Sequence, residues 1–223
     1  AWLLNNDALP DPDALSALVT AGQATPHTGA VGGVVLDGSP PERLQAWGGG
    51  QIRPWSGVVR LGAAAHDPLD FITGACLLLN TDALRQVGLF DERFFLYWED
   101  ADLCFRLRNA GWGLVVADSA RIHHRGSATT GRNPRLRSFH SARSLVLFLN
   151  THERVPRLTS FTATAFQSLL KLLRGNVPAA AGFWHGWRAG LGASRLPNPS
   201  ASDAQPQHPG LDRTKETAMK KHP

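Results

Sequence analysis

Residues 90–112 read FDERFFLYWEDADLCFRLRNAGW, and the reading of this stretch decides the rest of the chain. Five acids, Asp91, Glu92, Glu99, Asp100 and Asp102, surround the aromatic run Phe94-Phe95-Leu96-Tyr97-Trp98. Behind them Leu103, Leu107 and Ala110 recur at i, i+4, i+7, the period of an amphipathic helix. The spacing predicts a helix from near Glu99 to Gly111, a residue suited to the left-handed position after a helix end. Glu99, Asp100 and Asp102 then fall in its first turn, where the helix dipole favours negative charge. Acids there are also ordinary capping chemistry. Carboxylates set beside Tyr97 and Trp98 have in addition the make-up of a site that holds a ligand.

Working outward, strands and helices alternate, which argues for an α/β core. Trp2-Leu3-Leu4 is a short strand that delivers Asn5-Asn6-Asp7 at its tip. Asp11-Pro12 reads as an N-cap and first helical residue, ahead of Ala14, Leu15, Leu18 and Val19. Gly29–Leu36 and Phe71–Leu79, the latter broken by Gly74, read as buried strands. Between them, residues 37–68 are rich in Gly and Pro and fit an excursion with one hairpin. Thr81–Val87 fits a short helix capped by Thr81 and closed by Gly88. Leu114-Val115-Val116 and Arg121–His124 fit two strands, and helices follow at about 137–152, 158–174 and 179–191. From Ser194 onward the composition is that of a disordered tail. The division expected is 1–136, 137–193 and 194–223.

Charge is split along the chain. Residues 1–118 hold 7 basic and 14 acidic residues, a net of −7, and residues 119–223 hold 16 and 4, a net of +12. The acidic front suits a cation, and the basic back suits phosphate-bearing partners. Nucleic acid is disfavoured, because the basic residues are not interleaved with aromatics in a recognition module. No apolar run approaches the ~18 residues of a membrane span. Cys76 and Cys104 sit in apolar segments and read as buried free thiols, which fits a reducing compartment. The one methionine is Met219 and the chain opens on Ala1-Trp2-Leu3-Leu4, so it reads as part of a longer protein.

Three groups could carry chemistry. Asn5-Asn6-Asp7 offers oxygen ligands for a hard cation, or forms an ordinary Asn/Asp turn. His123 and His124 are adjacent on a strand and point to opposite faces, so at most one joins Asp7. In the acid cluster, an ionised carboxylate near an acceptor hydroxyl can act as general base. Like charge from Glu99 raises proton affinity there, while the helix dipole lowers it.

The order of these pieces, LLNNDALPDPDAL followed by DFITGACLLLNTDALRQVGLFDERFFLYWEDADLCFRLRNAGWGLVVADSARIHHRGS, resembles glycosyltransferase family 2, especially its bacterial rhamnosyltransferase-like members. The resemblance covers about residues 2–127 and extends loosely into SFHSARSLVLFL. It implies a nucleotide-sugar-binding α/β fold of the GT-A type with C-terminal helices, entered at the metal motif and without the family's first strands. An unpaired sheet edge and an exposed apolar face are then expected. The implied reaction is inverting and uses Mg²⁺ or Mn²⁺. It moves a sugar, rhamnose or another deoxyhexose, from a nucleotide-diphosphate donor to a glycan or polyprenyl-linked acceptor for cell-surface polysaccharide.

By that resemblance Asp7 and His123 hold the metal, with His124 as fallback, and Asn5 departs from the family's stricter Asp-x-Asp form. Asp100 is the general base, and Glu99 orients it or holds the acceptor. Gly74 and Ala75 lie where backbone approaches the sugar and acceptor, and Trp98 stacks on a sugar face. The chain is then cytoplasmic, with its basic helices peripheral on the inner face of the membrane. The alternative is a truncated product that binds acceptor or membrane but not donor.

Overall fold

The computed structural model describes residues 1–38, 42–65, 67–124 and 133–196. At its centre is β3 (Thr28–Asp37), buried at nine of its ten positions. Such a strand is covered on both faces, which is why GAVGGVVL is almost wholly apolar. It pairs in parallel with β9 (Gly113–His124) and antiparallel with β8 (Cys76–Leu79). The strands β1 (Trp2–Leu4) and β2 (Ala8–Pro10) complete the order β1-β8-β3-β9-β2, and β4 (Leu44–Trp47) also pairs with β3. A smaller sheet, ordered β6-β5-β7, is built from β5 (Gly49–Arg53), β6 (Val58–Leu61) and β7 (Phe71–Ile72). A single 3-10 turn, Pro54–Ser56, joins β5 to β6.

The expected GT-A type α/β architecture is present, and several local expectations change. Phe71–Leu79 is two strands in two sheets, because the chain bends at Thr73-Gly74-Ala75. The segments expected as 114–116 and 121–124 are one strand, whose register against β3 shifts twice, between Thr28 and Ala30 and between Gly33 and Val34. A strand not foreseen, β2, pairs Ala8 with His124 and Leu9 with His123. Helix α1 (Ala14–Ala24) has Asp13 at its N-cap, so Asp11 is displaced from that position. Helix α2 (Thr81–Val87) is capped by Asn80, not Thr81: its side chain accepts from the backbone N–H groups of Asp82 and Ala83.

Helix α3 (Glu99–Asn109) runs as the apolar spacing requires, with Gly111 at φ 88° just beyond it. Leu103 and Leu107 face the sheet fully buried, each such side chain contributing about 1.5–3 kcal/mol. On the opposite face of the sheet Ala14 and Leu18 of α1 pack against Val31 and Ile122. The C-terminal helices α4 (Pro134–His152), α5 (Pro156–Leu173) and α6 (Val177–Ala193) start earlier than the apolar pattern suggests, each with a proline in its first turn. They are not an appendage to the sheet: Leu145, Leu147, Phe148 and Leu149 of α4 share one core with Ile52, Leu77 and Leu103.

The edge strand β1 has β8 as its one partner among the described residues, and Leu3 is partly exposed there. Cys76 and Cys104 are buried and unbonded to one another, and burial pushes the Cys104 thiol up to about 12. The tail expected from Ser194 lies outside the described residues from residue 197 on.

Candidate functional site

The site begins with the chain that connects β1 to β2. Asn5-Asn6-Asp7 forms a tight turn between them, in which the Ala8 N–H donates to the Asn5 carbonyl at 3.0 Å. Pairing of β2 with β9 then brings Asp7 to His124, with Asp7 Oδ1 at 3.3 Å from Nε2. Asn5 Nδ2 reaches the same nitrogen at 3.4 Å. His123 is on the other face, where its ring meets Asp11 Oδ1 at 2.9 Å and Glu42 Oε1 at 3.4 Å. Of the two candidate histidines, the structure brings the fallback His124, and not His123, to Asp7. The strand's two-residue period makes the choice exclusive.

Gln45 of β4 sets the tautomer of His124. Its Nε2 donates to the His124 carbonyl at 2.7 Å, so its Oε1 is left to accept, 3.0 Å from His124 Nδ1. Nδ1 must therefore carry a proton, and a neutral ring presents the Nε2 lone pair to the Asp7 carboxylate. Two facing acceptors are reconciled by a proton on Nε2 or by a bound cation, and a ring oriented through its other nitrogen is how histidine ligands are usually held. Among the described residues no three His, Cys, Asp or Glu side chains converge as a full ligand set. The residues thus fit a hard divalent ion held by one or two protein groups and otherwise by water and a bound diphosphate. Gln45→Ala is expected to weaken Mn²⁺ binding by about 10–100-fold, with no change in His123→Ala. A titration followed by electron paramagnetic resonance checks both.

The second half of the site is the start of α3. Asp100 Oδ2 accepts from the Gly74 N–H at 2.8 Å, and Oδ1 accepts from the Ala101 N–H at 2.8 Å. Burial pushes the Asp100 carboxyl above its ordinary value, and these two hydrogen bonds pull it back only in part. Glu99 rises to about 7, first through burial and then through the charge of Asp100, and its Oε2 is buried without a hydrogen-bond partner. The sequence left open whether repulsion or the helix dipole wins, and burial decides it upward.

Gly74 and Ala75 tie the halves together. While Gly74 N–H holds Asp100, the Ala75 carbonyl accepts from the Asn5 N–H at 3.4 Å. Gly74 and Ala75 are thus backbone links between the base and the Asn5–Asp7 turn.

Tyr97 and Trp98 enter α3 with φ 66° and 73°, consecutive left-handed residues that cost about 1–3 kcal/mol each. Helix α4 holds them there. Ser144 Oγ donates to the Leu96 carbonyl at 2.8 Å, and Arg143 donates to the Arg93 carbonyl at 2.7 Å. Trp98 is only 8% exposed and packs on Phe148 with ring centroids 5.1 Å apart. Little of its face is open to a sugar, and the expectation of stacking gives way to a wall residue.

That wall belongs to a cavity of about 520 Å³ between the β5–β6 hairpin, α3 and the C-terminal helices. Val58, Phe71, Tyr97 and Trp98 make it largely apolar, while Asp100, Arg137 and Gln167 supply its polar points. Gln167 also donates to the Ser56 carbonyl at 3.1 Å, which fixes α5 against the 3-10 turn.

Two residues along α3, on the other side of the helix from Asp100, Asp102 accepts from Arg106 Nε at 2.9 Å and meets His152 Nε2 at 2.8 Å. Burial raises the Asp102 carboxyl, but His152 and Arg106 outweigh it and hold the group below the ordinary range. The His152 ring lies against Phe148 and Phe105, with centroids 4.8 and 5.1 Å away. Sequence reasoning missed Gln45, Arg137, His152 and Gln167. Only the Asp102–Arg106 spacing of i, i+4 was visible beforehand.

A parallel strand pair at the centre, a polar turn between β1 and β2 and a carboxylate at the start of a helix are consistent with a GT-A-like fold. The chain belongs to the family described as "Glycosyltransferase like family 2", whose profile matches residues 1–145. It is 35% identical over 152 residues to N-acetylglucosaminyl-diphospho-decaprenol L-rhamnosyltransferase of Mycobacterium tuberculosis, in strains CDC 1551 and H37Rv. That match covers 60% of this chain and 50% of the mycobacterial enzyme, so the chain spans about half the length of these relatives. A shorter match, 34% over 41 residues, covers 18% of this chain and 13% of the low-salt glycan biosynthesis hexosyltransferase Agl10 of Haloferax volcanii.

Proposed function

We propose that the chain carries the catalytic centre of an inverting, metal-dependent glycosyltransferase that moves a deoxyhexose such as rhamnose from a nucleotide-diphosphate donor to a lipid-linked glycan. The observation that carries this reading is Asp100, held by the Gly74 N–H and facing an apolar cavity. In the reaction the Asp100 carboxylate takes the proton of the acceptor hydroxyl. The acceptor oxygen bonds to the anomeric carbon from the face opposite the donor phosphate, and the bond to that phosphate breaks. The nucleoside diphosphate leaves, and the anomeric configuration inverts.

Asp7 and His124 hold the divalent ion, with Asn5 alongside. When bound, the ion supplies positive charge to the departing diphosphate. Donor and acceptor thus meet from two sides of the Gly74–Ala75 link. The relative's lipid-diphospho acceptor supports a polyprenyl-linked substrate here, and the basic helices support peripheral attachment to the inner face of the membrane. No described helix is long and apolar enough to cross a membrane.

Calorimetric titration of the chain with dTDP and UDP in Mn²⁺ tests the donor half. Binding that needs the metal and disappears in Asp7→Ala is the expected result. Binding that survives both changes overturns the metal assignment, and no binding to either nucleotide favours the fragment that engages acceptor alone.

The pH profile tests the carboxylate pair. Glu99 and Asp100 titrate together, and the base works only when ionised. We expect kcat/KM to rise with pH as Asp100, held above its ordinary range by burial, gives up its proton. Stability runs the other way. Below the ordinary Glu99 value of 4.5 the group is protonated whether the chain is folded or not, and its burial costs nothing extra. The cost grows from there to about pH 7 and is constant above. A series of urea midpoints from pH 4 to 8 should therefore flatten in Glu99→Gln.

A further inference from the structure

Helix α5 is turned the opposite way from an ordinary amphipathic helix. Its buried positions are small or polar: Thr159, Ser160, Ala163, Thr164 and Ser168. The large apolar residues stand outward, with Leu158 55%, Phe161 47%, Leu169 53% and Leu172 49% exposed. Their spacing of i, i+3, i+11 and i+14 makes one continuous stripe along the helix. At its end Leu173 is exposed as well. The side chains that would build a core in a free-standing domain thus face away from it, and about half of each stays exposed among the described residues.

What surrounds the stripe selects its occupant. Residues 133–196 contain nine Lys or Arg and one acid, Glu153. Arg154, Arg157 and Arg174 stand exposed at the two ends of α5. On the neighbouring α6, Trp184 and Trp187 are half-buried and cluster edge-to-face with Phe161, ring centroids 5.7 to 5.9 Å apart. An apolar stripe ending in cations and flanked by tryptophans has the chemistry of a helix that lies in a lipid–water interface. The near-absence of acids favours anionic headgroups, which exposed cations attract at a membrane surface.

We propose that the outer face of α5, with Trp184 and Trp187 of α6 beside it, docks on an anionic bilayer surface. The proposal rests on the lipid-linked acceptor of the preceding reading and gives that acceptor a route. The inner face of α5 carries Gln167, a wall residue of the cavity that also contains Asp100. A helix is about 10–12 Å across. Docking through the outer face therefore sets the cavity about one helix diameter above the headgroups. A sugar linked through a diphosphate to a membrane lipid reaches the base there without its lipid leaving the bilayer.

The test is flotation of the full chain with vesicles of phosphatidylcholine alone and of phosphatidylcholine with phosphatidylglycerol, with no sugar substrate present. Binding to the anionic vesicles, weakened by salt, is expected. Leu169→Gln with Leu172→Gln, both at exposed positions, should weaken it about tenfold or more while leaving circular dichroism and the urea midpoint unchanged. Arg157→Gln with Arg174→Gln should remove the preference for anionic lipid. Equal binding by the leucine pair overturns the proposal. So does self-association in sedimentation that this pair abolishes, without vesicle binding, since the stripe then serves a second copy. A chain that floats but binds no donor fails the preceding reading and keeps this surface.

Discussion

Asp100→Asn is expected to lower kcat by about 10²- to 10⁴-fold, the range that a positioned general base supplies. Asn is close to isosteric and can still accept from the Gly74 N–H that Asp100 Oδ2 now engages at 2.8 Å, so the fold should stand. What it cannot do is take the acceptor proton. Donor binding, read by titration with nucleotide and Mn²⁺, should be nearly unchanged, because Asp7 and His124 lie across the Gly74–Ala75 link and not on α3. A variant that keeps donor affinity and loses turnover places Asp100 at the reacting hydroxyl. Turnover within about threefold of the parent would assign the proton transfer to another group, with Glu99 next in line. The Glu99 carboxyl, near 7, would then be the one to replace.

The largest effect on stability should come from a residue that touches no substrate. Asp102 is 2% exposed and is shared between Arg106 and His152, itself nearly buried at 4%. Asp102→Ala leaves a guanidinium and an imidazole without their acceptor inside the core, a change that costs about 3–5 kcal/mol. Guanidinium unfolding curves should show the midpoint fall with little change in slope. The parent's dependence on pH has a definite sign. Because the folded carboxyl lies below its ordinary 3.8, its contribution is present above that value and is lost as the pH falls through the folded one. Asp102→Ala should therefore lose part of the parent's sensitivity to acid. Equal acid sensitivity in the two chains would mean that the His152 and Arg106 contacts contribute little.

How much of this was legible beforehand varies with the range of the interactions involved. Helix α3 was readable because its evidence is local: three apolar positions on one stripe, acids at one end and Gly111 at the other. The buried run of β3 was readable for the same reason. The choice between His123 and His124 was not, because parity on β9 has meaning only against the register with β2, more than 100 residues away. The break of Phe71–Leu79 into two strands was invisible in an unbroken apolar run, since the run does not say which sheet each half joins. Caps were misplaced by one or two residues, as with Asn80 for Thr81, because neighbouring Asn, Asp and Thr residues can all serve and geometry chooses. The stripe on α5 was plain in the sequence, but its outward direction was not. Periodicity identifies an apolar face without saying what it meets.

The turn between β1 and β2 has a further consequence, for folding kinetics. Asn5 meets His124 across 119 residues, whereas Asp102 meets His152 across 50. Long loops close late, because their entropy must be spent before the contact returns anything. The helical framework around Asp100 can form while the ends of the sheet are still open, and the Asp7–His124 pair is among the last contacts made. A nucleotide that binds through that pair recognises only the completed chain. Adding it should slow unfolding while leaving the folding limb of a chevron plot where it was.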